Sequence, residues 1–169
     1  GEYKCISIWE YDKRTANGAN FVYFGMRLRS SKGKRERELM EYAKKVVAVM
    51  GIEHGPSHME VMYTSDGPCL VEVGSRCHGG EATWFPIATE CLGYTMIEAA
   101  LAAYVRPDRF AALPDEPADM LKYGAEAFLV STQTGVLKAI PGVDVIRGMT
   151  SFRRMEMFSQ PGDEVTPTI

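Results

Sequence analysis

The segment HMEVMYTSDGPCLVEVGSR, residues 58–76, sets a carboxylate in the middle of each of two apolar runs that flank a turn signature. Apolar and polar residues alternate on both sides of Ser65-Asp66-Gly67, a pattern that predicts a β-hairpin. Glutamate is depleted in strands, because a half-buried pleated surface favours β-branched and aromatic side chains. Glu60 and Glu72 therefore indicate that one face of this hairpin does something other than pack a core.

The register of the hairpin decides whether the two glutamates meet. A three-residue loop over residues 65–67 pairs Thr64 with Pro68 and places Glu60 directly opposite Glu72. A two-residue Asp-Gly loop shifts the pairing by one residue and sends the glutamates to opposite faces. Both turns suit the glycine that ends the loop, so the residues alone leave the register open.

The chemistry of the side chains favours the three-residue loop. In that register Leu70, Glu72, Gly74 and Arg76 share one face of the second strand. Carboxylates placed opposite each other repel unless a cation compensates them, and Mg²⁺ accepts two carboxylates when phosphate oxygens complete its octahedron. An arginine on the same face suits a bidentate pair with phosphate or carboxylate. The alternative is an edge hairpin with both glutamates solvated.

The residues that precede the hairpin predict an α+β fold. Alternation over residues 3–11 and an apolar run over residues 21–29 indicate strands on either side of a loop at residues 15–20. Apolar residues recur at helical spacing from about Lys34 to Met50, and Gly51 suits a C-terminal cap. These elements predict an antiparallel sheet with helices packed on one face.

Two further helices are predicted after the hairpin. Residues 84–105 carry apolar residues at helical intervals that are interrupted near Gly93. Thr95 has the side chain of an N-cap residue and precedes the second of the two segments. We interpret both helices as scaffold.

A change in composition indicates the end of the larger domain. The segment 106–120 holds three prolines and several acidic residues, and we place a domain boundary within it. Beyond it, residues 125–140 predict a hairpin that turns near Thr134-Gly135. The prediction is a domain over residues 1–112 and a small β-rich C-terminal subdomain over residues 113–169.

Composition argues against several classes of partner. Nineteen basic and 22 acidic residues give a formal net charge of -3, which argues against a broad nucleic-acid surface. No apolar run approaches the roughly 18 residues that a membrane span requires. The four cysteines form no CxxC pair, which favours reduced thiols and a cytoplasmic location. The oligomeric state is open, with a homodimer as one alternative.

His54 and His58 stand four residues apart and offer a different metal prediction. The Gly-Pro-Ser between them prevents the helix that would put both imidazoles on one face, so a zinc site is disfavoured. His58 shares the alternating face of Glu60, which places it beside a metal or a substrate.

Residues 51–84, GIEHGPSHMEVMYTSDGPCLVEVGSRCHGGEATW, resemble the metal-binding half of ATP-grasp carboxylate-amine ligases, in the branch of the L-amino acid ligases and carnosine synthases. The opening GEYKCISIWEYD is similar to the strand that begins the large, C-terminal lobe of that family. The resemblance covers residues 1 to about 105, and residues 122–165 resemble the family's small C-terminal β-domain less specifically. It implies a fragment that is inactive until the N-terminal ATP-grasp lobe of the same polypeptide, with its phosphate-binding lysines, completes the site.

The resemblance also implies roles for individual residues. Glu60 and Glu72 would hold the Mg²⁺ (or Mn²⁺) of ATP, and Arg76 would be the catalytic cation that contacts the phosphates. Gly74 stands where the family has an asparagine, so a second metal would lack that amide ligand. A small-molecule carboxylate and an amine would be joined through an acyl phosphate. The residues expected on the substrate side are His58, His78, Gly79, Gly80 and Glu81.

Two alternative functions stay open. A degenerate, non-catalytic ATP-grasp module for nucleotide sensing or assembly is suggested by Gly74. A stand-alone metal hydrolase built on Glu60, Glu72 and a histidine would turn over without ATP.

Overall fold

Within residues 2–169, which the computed structural model describes apart from the side chain of Glu81, strands and helices form an α+β fold with antiparallel pairing. The strands are β1 Ile8–Ala16, β2 Ala19–Arg29, β3 His58–Thr64, β4 Gly67–Gly74, β5 Ala125–Ala127, β6 Gly135–Val136 and β7 Glu164–Val165. The helices are α1 Lys34–Val49, α2 Phe85–Leu92, α3 Met96–Val105, α4 Pro107–Ala112 and α5 Val143–Arg147, and a 3₁₀ turn covers Gly80–Ala82. One sheet has the order β1-β2-β5, while β3 pairs with β4 and β6 with β7. The predicted α+β class is confirmed.

The first hairpin turns more tightly than the sequence predicted. β1 and β2 are joined by Asn17 and Gly18, whose φ values are 53° and 76°, instead of by a loop over residues 15–20. Two successive residues at positive φ characterise a type I′ turn, whose twist matches that of the flanking strands. The first strand accordingly extends to Ala16.

Helix α1 spans the predicted residues and covers one face of the β3–β4 hairpin. Gly51 follows the helix at φ 66°, a left-handed conformation that glycine adopts without strain. The Tyr63 hydroxyl donates a hydrogen bond to Glu38, and the backbone N–H of Leu70 donates one to the Tyr42 hydroxyl at 3.0 Å. α1 therefore lies against the face of the hairpin that carries Tyr63.

Helices α2 and α3 confirm the predicted break and cap. Gly93 ends α2 at φ 81°, and Thr95 forms a capping box with Glu98 at the start of α3. α2 and the residue before it pack on β2 through two clusters of buried residues, which are Met26, Trp84 and Ala88 in one and Leu28, Cys91 and Leu92 in the other. Among the described residues, no helix has both the length and the apolar character required to cross a bilayer.

Contacts divide the described residues into two compact units. One comprises the residues up to Tyr11 together with Met26–Glu126, and the other comprises Asp12–Gly25 together with Ala127–Ile169. The predicted metal and substrate residues all belong to the first unit. The domain boundary placed after residue 112 stays a prediction.

The hairpin predicted over residues 125–140 is wrong. β5 joins the sheet of β1 and β2, while Gly135 of β6 lies opposite Val165 of β7. The backbone of Leu137 continues this pairing, since it donates to Asp163 and accepts from Gly162, both at 2.8 Å. The partner of β6 therefore lies far along the chain, and such a partner leaves no turn signature in the local sequence.

Candidate metal and substrate site

The tip of the β3–β4 hairpin differs from the prediction. Thr64 pairs with Gly67 across a two-residue turn, Ser65-Asp66, so the predicted pairing of Thr64 with Pro68 is wrong. The Thr64 hydroxyl holds this turn closed, because it donates to the carbonyl of Gly67 at 3.0 Å and accepts from the N–H of Asp66 at 3.1 Å. The side chain that precedes the turn thus stabilises the shorter loop.

A β-bulge nevertheless brings the two glutamates together. Val61 pairs with Leu70, and the next pair of the ladder is Glu60 with Glu72, so Val71 is the extra residue of β4. The turn is one residue shorter than predicted, and the extra residue in β4 compensates for this, so the pairing beyond the bulge has the predicted register. Glu60 lies directly opposite Glu72 as predicted, although for a reason that the sequence analysis did not foresee.

The bulge also changes which side chains share a face. Directly paired residues of antiparallel strands lie on the same face, so Leu70 lies with Val61 on the side of α1, and Glu72 lies with Glu60 on the other side. The predicted grouping of Leu70 with Glu72 is therefore wrong. The two carboxylates face away from α1, where Glu60 is partly buried and Glu72 is exposed.

Arg76 folds back over the end of β4. Its guanidinium Nη2 lies 3.3 Å from Oε1 of Glu72, and its Nη1 donates to the carbonyl of Cys77 at 3.1 Å. A Cβ atom at Gly74 would lie 3.4 Å from both Cγ and Nε of Arg76. Arg76 thus runs across the glycine and ends beside the carboxylate, with half of its side chain still exposed to solvent.

The donors on this face fit the chemistry of Mg²⁺. Glu60 and Glu72 offer hard carboxylate oxygens, which Mg²⁺ prefers. Among the described residues, the structure contains no cluster of three or more His, Cys, Asp or Glu side chains arranged to hold a metal ion. An ion bound by the two glutamates would take its remaining ligands from phosphate oxygens and water, which is the usual arrangement for Mg²⁺ in nucleotide sites.

Two histidines and a tyrosine lie beside the glutamates. The Tyr11 hydroxyl lies 2.9 Å from Nε2 of His78 and 3.2 Å from Nε2 of His58. The two imidazole rings are tilted against each other with their centroids 4.6 Å apart. The structure therefore brings together His58 and His78, which the sequence placed on the substrate side, whereas His54 is exposed in the loop before β3.

The surroundings keep both of these histidines neutral. Burial lowers the pKa of His78 to about 4, and the neighbouring His58 and Arg76 act in the same direction. Burial also lowers the pKa of His58, and the charge of Arg76 adds to this effect. Glu60 raises the pKa of each histidine, but its effect is smaller than that of burial. At pH 7 the pair therefore supplies polar groups without added positive charge.

The glycine-rich loop after Arg76 is held by a buried indole. The Nε1–H of Trp84 donates to the carbonyl of Gly79 at 2.7 Å, and the Trp84 ring is only 2% exposed. Gly79 and Gly80 are exposed, and Gly80 has φ 68°, a value that favours glycine. Their backbone is accessible to a ligand, while the side chain of Glu81 lies outside the described residues and its role stays a prediction.

Tyr11 and Trp84 belong to this constellation, although the sequence analysis did not predict them as site residues. Tyr11 contacts partners that are 47 and 67 residues away along the chain. Trp84 begins the apolar segment over residues 84–105, which the sequence predicts as scaffold. Neither residue has a local motif, so its position beside the histidines becomes visible only when the separate segments are folded together.

Comparisons with known proteins support the resemblance that the sequence showed. No protein-family model matches the chain. The chain is 36% identical over 110 residues to dapdiamide A synthase of Enterobacter agglomerans, a match that covers 65% of the chain and 25% of that protein. The structure superposes on an L-amino acid ligase from Bacillus licheniformis with a TM-score of 0.70 at 17% identity, covering 95% of the chain and 42% of the ligase.

These matches confirm the resemblance to ATP-grasp ligases. The structural match shows the fold, and the sequence match relates 110 residues of the chain to dapdiamide A synthase. The matched region spans a quarter of the length of the curated relative and less than half of the solved ligase.

Proposed function

We propose that this chain, which is similar to part of the ATP-grasp ligases, is the large lobe of an ATP-dependent carboxylate-amine ligase. The observation that carries the proposal is the pairing of Glu60 with Glu72. Arg76, two residues after the end of β4, forms an ion pair with Glu72. The bulge at Val71 places both carboxylates on one face of the hairpin, and the sequence relative is a synthase.

In this proposal Glu60 and Glu72 hold the Mg²⁺ that accompanies ATP. The metal supplies neutralisation of the charge that builds on a transferred phosphoryl group. Arg76 contributes a guanidinium that is already beside the site and accessible to phosphate, since half of its side chain is exposed. Its planar fork suits phosphate oxygens better than a lysine would.

The reaction forms one amide bond for each ATP consumed. A substrate carboxylate attacks the terminal phosphorus of ATP to give an acyl phosphate and ADP. An amine then attacks the acyl carbon, loses a proton and displaces inorganic phosphate. Arg76 contributes electrostatic stabilisation of the phosphate charge in both steps.

The substrates approach from the side of the histidines and the glycine-rich loop. His58 and His78 present neutral rings there, and the backbone of Gly79 and Gly80 is exposed. Glu81 completes the proposed set. The further polypeptide of a ligase of the relatives' length would supply the second lobe with its phosphate-binding lysines, and the C-terminal residues from 113 onward would form the small subdomain.

Binding of Mg²⁺-ADP to Arg76→Gln tests the proposal. Arg106→Gln is the matched control, because Arg106 is also an exposed arginine in an ion pair, with Asp108 at 2.8 Å. Calorimetric titration should show Mg²⁺-ADP binding weakened about tenfold by Arg76→Gln, as expected for loss of a charge-assisted pair worth roughly 1.5 kcal/mol. Equal affinities in both variants would contradict the proposed role of Arg76.

A second candidate is a nucleotide-binding module without turnover. Gly74 favours it, because an amide ligand is absent at the position where Arg76 crosses the strand. This candidate predicts Mg²⁺-ADP binding with the same dependence on Arg76. The two candidates differ in that only the ligase forms ADP when a carboxylate and an amine are added to the complete protein.

A further inference from the structure

We propose that Glu126 of β5 is a specificity-determining residue, which binds the protonated amino group of the amine substrate. The proposal rests on the proposed function in one respect, because only that function brings an amine to the glycine-rich loop. The position of Glu126 and the lack of donors for its carboxylate are properties of the chain itself.

Backbone pairing places the Glu126 side chain on the face of the sheet that α2 covers. Two hydrogen bonds fix the antiparallel pairing of β5 with β2, which are Leu28 N–H to the Gly124 carbonyl at 3.3 Å and Phe128 N–H to the Phe24 carbonyl at 3.0 Å. Met26 therefore lies opposite Glu126, and the two side chains share a face. Because Met26 packs with Trp84 and Ala88, the carboxylate lies beside the start of α2.

Thr83 connects Glu126 to the glycine-rich loop. The Thr83 side chain lies within hydrogen-bonding reach of the Glu126 carboxylate, and its hydroxyl donates to the carbonyl of Gly80 at 2.8 Å. A Cβ atom at Gly80 would lie 3.8 Å from Cε1 of His78. Glu126 is therefore a neighbour of the loop that carries the proposed substrate residues.

The carboxylate of Glu126 lacks a full set of donors. Its Oε2 is buried and has no hydrogen-bond partner among the described residues. The Thr83 hydroxyl has one proton, which the carbonyl of Gly80 already accepts. Burial raises the pKa of Glu126, the neighbouring Thr83 opposes this to a smaller extent, and no cation of the described residues contributes. A carboxylate held in this way is costly unless a ligand supplies both donors and positive charge.

An ammonium group supplies what this carboxylate lacks. It carries three N–H donors and a positive charge, whereas a substrate carboxylate would place a second negative charge beside Glu126. Glu126 as a whole is partly exposed, and the neighbouring backbone of Gly79 and Gly80 is exposed, so the position is open to a small ligand. Of the two substrates in the proposed reaction, the amine fits this position and the acid does not.

Titration of the unsubstituted chain with L-alanine amide and with L-lactamide tests the proposal. The two probes differ in one group, which is an amine that is mostly protonated at pH 7 in the first and a neutral hydroxyl in the second. The ¹³C resonance of the Glu126 carboxyl group, assigned by its absence from Glu126→Gln, should shift to saturation with L-alanine amide. L-lactamide should bind at least about tenfold more weakly. Equal affinities for the two probes, or a Glu126 resonance that neither probe shifts, would overturn the proposal.

Glu90→Gln is the matched control for Glu126→Gln. Glu90 is also a partly buried glutamate, but it lies on α2 and already forms an ion pair with Lys122 at 3.1 Å. In calorimetric titrations Glu126→Gln should weaken the binding of L-alanine amide about tenfold, as expected for loss of a charge-assisted hydrogen bond, and Glu90→Gln should leave it unchanged. Equal affinities in the two variants would place the amine elsewhere and overturn the proposal.

Denaturant unfolding separates a binding role from a structural one. Glutamine keeps the size of the Glu126 side chain and removes an uncompensated charge, so the denaturant midpoint of Glu126→Gln should equal or exceed that of the unsubstituted chain. A lower midpoint would show that the carboxylate stabilises the fold and would overturn the proposal. The amine titrations need no nucleotide, so a failure of Mg²⁺-ADP to bind the unsubstituted chain would count against the proposed function and leave the result for Glu126 intact.

Discussion

Glu60 and Glu72 lie directly opposite each other in the β3–β4 ladder because an extra residue, Val71, offsets a turn that is one residue shorter than the sequence suggests. Like charges at directly opposed positions destabilise a strand pair unless a cation or a donor compensates them. Arg76 provides part of that compensation for Glu72, which is exposed, while Glu60 is partly buried. An opposed pair of carboxylates is the arrangement that the proposed metal site requires.

Deletion of Val71 should leave the two glutamates paired. The pairs of Val61 with Leu70 and of Glu60 with Glu72 flank the extra residue, so its removal joins them into a regular ladder. We expect the free energy of unfolding to change by less than about 1 kcal/mol, because Val71 is exposed and makes no ladder pair. Denaturant unfolding checks this expectation, and loss of cooperative unfolding would contradict the assigned register.

The lowered pKa of His78 should make the free energy of unfolding decrease in mild acid. Its pKa is about 4 in the folded chain against 6.5 for an unperturbed histidine, so between these values the unfolded state binds a proton that the folded state does not. Stability is therefore complete above pH 6.5 and falls as the pH decreases toward 4. His58 contributes in the same direction, since its pKa is also lowered.

Denaturant midpoints measured between pH 7 and pH 4 check this dependence. After allowance for partial exposure, His78 should account for about 1–2 kcal/mol of the loss. His78→Gln should flatten the profile, whereas the exposed His54→Gln should reproduce the profile of the unsubstituted chain. An unchanged slope in His78→Gln would show that the buried histidine does not titrate as described.

The cap of α3 should contribute measurably to stability. Thr95 is fully buried, and its hydroxyl oxygen accepts from the N–H of Glu98 at 3.2 Å, while the Glu98 carboxylate accepts from the N–H of Thr95 at 2.8 Å. Thr95→Ala should lower the free energy of unfolding by about 1–2 kcal/mol, because it leaves a helix N–H without its acceptor. Thr95→Ser keeps the hydroxyl and should lose less than half as much. Equal losses would indicate that the methyl group, and not the cap, stabilises this position.

A side chain at position 74 should act through Arg76. An alanine Cβ would meet the arginine at 3.4 Å, which is ordinary van der Waals contact, so Gly74→Ala should preserve the ion pair with Glu72. The longer side chain of Gly74→Asn occupies the space that the guanidinium crosses and should displace it. Because an exposed ion pair is worth at most about 1 kcal/mol, the affinity of the freed Glu72 for Mn²⁺ without nucleotide should rise about two- to fivefold. Equal affinities in the alanine and asparagine variants would contradict this account.

Local patterns predicted α1, α2, α3 and the β3–β4 hairpin. They did not predict α4 or the pairing of β5, which lie in or after the proline-rich segment. Helix α1, the break at Gly93 and the cap at Thr95 depend on neighbouring residues, and the sequence located all three. The adjacent apolar residues Leu70 and Val71 interrupt the alternation of β4, and this interruption is the signal of the bulge. A three-residue turn gives the same pairing of the glutamates, so the sequence alone does not require a bulge.

Other features had no signal of this kind. Tyr11 meets its histidines only after two other segments have folded beside it, so no spacing in the sequence reveals it. The pairing of Gly135 with Val165 likewise joins short strands that are distant along the chain. In both cases the deciding interaction is a tertiary contact, and local propensity gives no information about it.

The central claim is that Glu60 and Glu72 together form a metal site that works with a nucleotide. Mn²⁺ binding, followed by water proton relaxation with and without ADP, tests it in the unsubstituted chain, in Glu60→Gln and in Glu72→Gln. Glu41→Gln is the control, because Glu41 is an exposed glutamate that forms an ion pair with Lys44 on α1. The account predicts binding that strengthens with ADP, weakens at least about tenfold in each of the two site variants, and is unchanged in the control. Binding that neither site variant alters would contradict it.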